Sequence, residues 1–575
     1  MLPLLLQLAC GHKAKVDTAS PDLLYFILVD RFANGDTQND VLVDTNDLQA
    51  FHGGDLAGVQ QNLGHIQALG ADAIWLSPIY QMRTTKFHGH GAFHGYWTED
   101  LNTIAPLMGG EEDLKSLTEE MSEREMSLIL DVVYNHTSFD APLRSEQPDW
   151  FHPDKTIEDW NDPVQLTTHQ VHGLPDLNQS NPEVYSYLLN SSRKWLQLPS
   201  VMGLRVDAIR HMDNEFLHQI NADLAQENAW LLGEDFQGNP IANIDRFKET
   251  NIGALFDFPF YYALTNSVCD GQSFEEIASI LSLDSYYPEE SHLVRFLDNH
   301  DLPRILSRCN NNKASVLLSE MLIFGLRGTP MISYGTENWS AGSEEPENRR
   351  DMDWDSIDPK HVEHISTLAE FRQQYPVLKE GIPEILHASQ DRLIVSQTFG
   401  KEQSMLLINR SSQSMDIPVD ECGGVLKVLR GGLTLGVEKS PVDTDAAVYP
   451  EKVATVTPLE FVLPAPTQIP ANAAMLLTCN ARKQHESTQT LTVHIDGVET
   501  EQPRLVGSLP ELGGWNPNDG VNSVWTGDHW STEITLPEHK VSAFKLVYQT
   551  DNGFQWEDGG NRFLHSDTTE PIWIR

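Results

Sequence analysis

The feature that most restricts the fold is an alternation repeated from Leu23 to Tyr334: a short, nearly continuous apolar run, then a stretch with helical spacing, then another apolar run. The apolar runs are Leu23 to Val29, Ala73 to Leu76, Ser127 to Val133, Gly203 to Ile209, Trp230 to Glu234, Leu255 to Asp257, Leu293 to Leu297 and Pro330 to Ser333. Ala57 to Leu69, Glu111 to Met121 and Pro182 to Leu196 carry the helical spacing between them. Strands apolar on both faces belong to a parallel sheet covered on both sides. About eight such units over this length predict a closed (β/α)8 barrel, whose chemistry gathers at the C-terminal ends of its strands.

Polar residues stand at those ends: Asn135-His136, Asp207, Glu234 and Asn299-His300-Asp301. Arg205 and Asp207 are two apart, so on a strand both leave the same face. Such a pair is costly to desolvate. It is either a structural ion pair or a carboxylate held ionised beside a guanidinium, ready to attack an electrophile. The other two acids favour the second reading. Splitting an acetal takes one acid to protonate the leaving oxygen and, in a retaining enzyme, a carboxylate about 5–5.5 Å away to attack the anomeric carbon. A third acid can hold the distorted sugar. Three converging acids repel, so one carboxyl should rise and mark the proton donor.

A stretch rich in Asp, Pro, Trp and His, 136–178, is too long for an ordinary loop and predicts a small inserted domain after strand 3. The 575 residues then divide into an N-terminal segment 1–20, the barrel 21–377, an antiparallel β-sandwich 378–482, a polar linker from Asn480 to Gln489 and a C-terminal β-sandwich module 483–575. Lys and Arg number 39 against 83 Asp and Glu, a net charge of −44. This argues against nucleic acid and anionic membranes as partners. No run is long enough to span a bilayer. Cys269, Cys309, Cys422 and Cys479 lack metal-like spacing and allow three disulfide connectivities. Met1 to Cys10 is apolar and ends in a small residue and a cysteine, resembling the end of a bacterial lipoprotein export signal. The expectation is a monomer, secreted or lipid-anchored at the cell surface.

Four motifs, in order and spacing, resemble the α-amylase family, glycoside hydrolase family 13: Asp131-Val132-Val133-Tyr134-Asn135-His136, Gly203 to His211, Gly233-Glu234, and Phe296 to Asp301. The resemblance spans about Leu23 to Leu477. It implies Asp207 as nucleophile, Glu234 as general acid/base, Asp301 as transition-state stabiliser and Arg205 as the group that places Asp207. It also implies sugar contacts from His136, His300, His94, Tyr96, Arg210 and Phe236. Aromatic faces such as Tyr96 suit the apolar faces of pyranose rings. Ca²⁺ follows by similarity, held by Asn135, Asp176 and the His211 carbonyl, with a second site from Asn34, Asp36, Asn39, Asp40, Gly53 and Asp55. Oxygen donors from separate loops suit this ion; the second cluster could equally be an Asx-rich turn.

The segment from Leu491 to Arg575 resembles a family 20 starch-binding module through Leu505 to Trp515. Trp515, Lys545, Trp556, Glu557 and Asn561 correspond to its first glucan site and Trp530 to part of its second, while Trp573 reads as a core residue. The expected activity is retaining, endo-acting hydrolysis of α-1,4 bonds in starch or glycogen. Cyclodextrin glucanotransferase and cyclodextrin- or maltodextrin-degrading activities are the alternatives, and an inactive starch-binding protein a remote one. Phe236 stands where glucanotransferases carry an acceptor-side aromatic, but His172 replaces their ring-forming aromatic.

Overall fold

A computed structural model describes residues 20–289, 291–418, 421, 427–434, 468–481, 487–498, 500–550 and 553–575. The export segment with Cys10, and Cys422, lie outside these. Eight parallel strands close into a barrel: β1 (Leu24–Ile27), β2 (Ala73–Leu76), β3 (Ser127–Val132), β4 (Val201–Val206), β5 (Trp230–Gly233), β6 (Ala254–Phe256), β7 (His292–Phe296) and β8 (Thr329–Ser333), each paired with its neighbours in sequence and β8 with β1. Almost all of their residues are buried, which is why they read as unbroken apolar runs. Gly203 is required where β4 meets β5, because a Cβ there would lie 1.8 Å from the Trp230 carbonyl oxygen.

Two expected elements end differently. The Leu23–Val29 strand stops at Ile27, and Val29–Phe32 turns into helix as Asp30 accepts hydrogen bonds from the His52 and Gly53 N–H groups. The single helix over Ala57–Leu69 is two, Leu56–Gln61 and Leu63–Ala68, broken at Asn62, whose side chain donates back to the Gly58 carbonyl. The Pro182–Leu196 helix stands as read, opened by the Asn181 side chain accepting from the Glu183 N–H.

Between β3 and β4 the insertion carries three short helical pieces, Pro142–Glu146, Pro148–Trp150 and Pro163–Thr168, and is tied to itself by the bridges His136↔Asp176 and Phe151↔Leu177. After the barrel comes a five-stranded antiparallel sheet from Ile382–Ala388 to Ala473–Asn480, beside a two-stranded one, Met415–Asp416 with Gln468–Ile469. The C-terminal module has a four-stranded and a five-stranded sheet. Its first strand begins at Thr488, so the linker is shorter than the sequence suggested. No helix among the described residues is long and apolar enough to cross a membrane. Cys269 and Cys309 form a disulfide.

Candidate active site

The barrel register builds the site. Asp131 of β3 lies directly beside Arg205 of β4, and Val206 beside Gly233 of β5, so Asp207 and Glu234 emerge together just past the strand ends. Arg205 is fully buried and grips three acids. Its Nη1 donates to Asp131 at 3.0 Å and to Asp207 Oδ1 at 2.7 Å, and its Nη2 pairs with Glu234 Oε1 at 2.8 Å. One guanidinium thus fixes two carboxylates relative to each other. The second Glu234 oxygen accepts from the Ala208 N–H at 3.1 Å. Ala208 holds a left-handed backbone, φ 50°, rare for a residue with a Cβ and placed where it serves this bond.

Asp301 completes the group from the loop after β7. Its Oδ1 accepts from Arg349 at 3.0 Å, its Oδ2 sits 3.1 Å from His300 Nε2, and the side chain is 37 % exposed. Tyr96 lies nearly parallel to His300 at 4.9 Å, donates its hydroxyl to Asp131 at 2.7 Å, and its N–H donates to His94 Nδ1. His136 Nε2 donates to the Tyr96 carbonyl at 3.3 Å. Phe236, 39 % exposed, packs on Phe258, and Arg210 donates to the Phe236 carbonyl at 3.5 Å.

Electrostatics separates the acids. Burial, opposed by Arg205 and reinforced by the charges of Asp207 and Asp301, pushes Glu234 up to about 8. Burial also works to raise Asp301, but His300, Arg349 and Arg205 outweigh it and hold the carboxyl below its usual range. Burial pushes His300 itself down to about 4, so near pH 7 the lasting positive charges on Asp301 are the two arginines. Burial likewise lowers His94 and His136, leaving neutral imidazoles suited to hydrogen-bonding hydroxyls.

Two participants were missed in the sequence. Asp131, pushed up to about 7 by burial against the pull of Arg205, ties Arg205, Tyr96 and the Trp75 indole together. Its signal was its position opening the Asp131–His136 motif. Arg349, which also donates to the His300 carbonyl at 2.8 Å, was visible only as part of a basic pair in the loop after β8.

Asn135 is fully buried with its Oδ1 unpartnered, beside Asp176, whose Oδ2 bonds His152 at 2.6 Å; the His211 ring faces the Leu166 carbonyl. In the N-terminal loop Asp55 accepts from the Gly35 and Asp36 N–H groups and from Asn39, while Asn34 donates to Asp40. Gly53, at φ +91°, leaves room there that a Cβ would fill, 2.7 Å from both Asn34 Nδ2 and Asp40 Oδ1. The Asn39 Oδ1 is buried and unpartnered, whereas Asp36 caps a turn through the Gln38 N–H.

In the C-terminal module Trp515 and Trp556 lie 6.3 Å apart, with Lys545 and Asn561 lining the same groove. Glu557 instead turns its carboxylate to the Leu546 N–H and Arg562. Two tryptophan assignments exchange places. Trp530 is 6 % exposed and donates to the Val498 carbonyl, so it belongs to the core and not to an open second site. Trp573 is 52 % exposed because Ile574 takes the inward position of that strand.

A parallel barrel whose mouth holds a raised acid and a second carboxyl group on one guanidinium defines a class, the barrel glycosidases. The family model "Alpha amylase, catalytic domain" matches residues 26–377, and "Starch binding domain" matches 490–571. The chain belongs to the α-amylase family and is a glycoside hydrolase of that family. It is 25 % identical to a cyclomaltodextrin glucanotransferase of Klebsiella oxytoca over 96 % of this chain and 93 % of that one. It is 28 % identical to a cyclomaltodextrinase of a Bacillus species over 71 % of this chain and 74 % of that one. Among solved structures an Anoxybacillus α-amylase superposes with a TM-score of 0.68 at 30 % identity, covering 80 % of this chain and 98 % of that one.

Proposed function

We propose that the protein hydrolyses internal α-1,4-glucosidic bonds of starch- or glycogen-type glucans with retention of anomeric configuration. The observation that carries this reading is the split between two acids on one arginine: Glu234 raised to about 8 and so protonated near pH 7, and Asp207 held by a 2.7 Å bond from Arg205. Glu234 protonates the glycosidic oxygen as Asp207 attacks the anomeric carbon. The aglycone leaves with that proton, and a glucosyl ester forms on Asp207. Glu234, now ionised, takes a proton from water, which cleaves the ester. Asp301, with Arg349 behind it, holds the sugar hydroxyls, and Tyr96, His94, His136 and His300 shape the subsite.

The similarity to glucanotransferases along almost the whole chain, with Phe236 exposed at the cleft, supports a transferring alternative. Against it, His172 is an exposed imidazole on a left-handed backbone, φ 53°, where those enzymes carry an aromatic. Chromatography of the products from soluble starch, with anomers followed by NMR, tests the choice. Linear maltooligosaccharides released as α-anomers are expected; a cyclodextrin-dominated profile overturns hydrolysis, and β-anomers overturn retention.

We further propose Ca²⁺ at Asn135, Asp176 and the His211 carbonyl. The unpartnered Asn135 oxygen beside a buried carboxylate fits a hard cation, which would brace the insertion against β3. The N-terminal loop offers a second oxygen cluster around Asn39, Gly53 and Asp55. The disulfide Cys269–Cys309 supports export, since such bonds persist in oxidising compartments.

A further inference from the structure

The tryptophan pair of the starch-binding module does not look out into open solvent. Trp515 and Trp556, with Lys545 and Asn561, form one wall of a groove of about 390 Å³. The opposite wall is the barrel: Gly238 and Pro240 from the segment after β5, and Ile280 from the helix Glu275–Leu281. The two walls are fixed to each other. Lys540 is buried at the seam, its ammonium donating to the Ser282 carbonyl and the Ser285 hydroxyl at 2.9 Å. The Val541 N–H donates to the Ser282 hydroxyl at 2.9 Å, and Tyr286 donates to Glu511 at 2.8 Å. His565 meets Glu275 at 2.6 Å. The glycine before Trp515 sits so close to the barrel that a Cβ on it would reach Ile241 at 3.3 Å.

We propose that this groove is a single glucan site built jointly by module and barrel, and that it holds a part of the same α-glucan chain whose bond is cut at Glu234. Two features support it. The walls pair aromatic and aliphatic faces with an ammonium and an amide, the combination that suits a pyranose. The barrel wall also runs on directly from the proton donor. Pro240 is six residues after Glu234, at most about 20 Å of extended chain, and Arg246 braces that segment through Asp235 at 3.0 Å. A proton donor faces the leaving-group oxygen, so the segment continuing from it borders the chain beyond the cut. The module then acts as an extension of the cleft for long substrates. A free tether would have neither a barrel wall nor a fixed distance. The inference rests on the glucan-hydrolase reading for the identity of the ligand.

The test uses the full chain and three variants: Trp515→Ala on the module wall, Ile280→Trp to fill the groove from the barrel wall, and both together. Adsorption to granular starch is measured beside kcat/KM on amylose and on a chromogenic maltotrioside too short to reach the groove. Melting temperatures within a few degrees of wild type certify the fold. Each single variant is expected to weaken adsorption and to lower the amylose-to-trioside ratio of kcat/KM about tenfold or more, as loss of a second attachment point does. The double variant is expected to fall no further, because both walls serve one site. Loss in Trp515→Ala with wild-type behaviour in Ile280→Trp, or no loss in either, overturns the composite site. Weakened adsorption in both singles of a chain that cleaves neither substrate would uphold the groove and overturn the hydrolase reading instead.

Discussion

Replacing Glu234 by glutamine keeps the shape of the protonated acid and removes its transferable proton, at the cost of one of the two bonds accepted from Arg205 and the Ala208 N–H, since an amide nitrogen cannot accept. With the carboxyl pushed up to about 8, about 90 % of the wild-type molecules carry the acid form at pH 7, roughly 300-fold more than an unshifted glutamate would. General acid catalysis is worth about 10²–10⁴ in rate, so on amylose Glu234→Gln is expected to lose about a thousandfold in kcat. On a maltoside with a nitrophenol leaving group, which departs without a proton, formation of the ester should be much less affected. Wild-type kcat/KM should fall through an alkaline limb centred near pH 8, as the donor ionises. The same shift acts on stability. A carboxyl raised by folding favours the native state below its unfolded value of 4.5 and loses that advantage as pH rises towards about 8. The loss is about 1.4 kcal/mol per pH unit, about 5 kcal/mol in all as an upper figure. Urea titrations between pH 4.5 and 8 should therefore show a steeper decline for wild type than for Glu234→Gln. Equal losses on both substrates, or an alkaline limb well below pH 6, would falsify the assignment of Glu234 as the proton donor.

Arg349→Met should raise the Asp301 carboxyl by removing a charged donor at 3.0 Å. The expected result is a loss of about 10–100-fold in kcat/KM, the equivalent of about 1.5–3 kcal/mol, with the acid limb of the pH profile moving to higher pH. Chelation with EDTA is expected to lower the melting temperature, with recovery on adding Ca²⁺; at a hundred times its Kd the ion would contribute about 2.7 kcal/mol, and an unchanged melting curve would remove calcium from the description. The double replacement Cys269→Ser, Cys309→Ser opens a loop of 40 residues and should cost about 4 kcal/mol in urea unfolding on the chain-entropy model.

The barrel was legible because its strands are buried on both faces, and a run such as Ala73–Leu76 has no other home in a folded chain. The acids were legible because Asp207, Glu234 and Asp301 each stand near the end of such a run or shortly after it. What stayed hidden depends on contacts between distant segments. The break at Asn62 is a local hydrogen bond competing with helix spacing that looks continuous. Arg349 gains its meaning only when the loop after β8 folds over Asp301. The exchange between Trp530 and Trp573 was partly readable, since Ile572-Trp573-Ile574 alternates and sends the indole outward, but only the partner sheet decides which face is inward. Nothing in the module's own sequence shows that its tryptophans would face Pro240 and Ile280.

The ammonium of Lys540 ends on a carbonyl and a hydroxyl of the barrel, not in water. A chain cut just before the module would leave that carbonyl, the Ser282 hydroxyl and the Tyr286 phenol to be rehydrated, while the severed piece would carry a cation with no counterpart. The tail is therefore no interchangeable cassette. Grafting it onto another barrel would require the host to offer matching partners over a stretch like Ser282 to Tyr286, and its spread among relatives would be expected to proceed together with that seam.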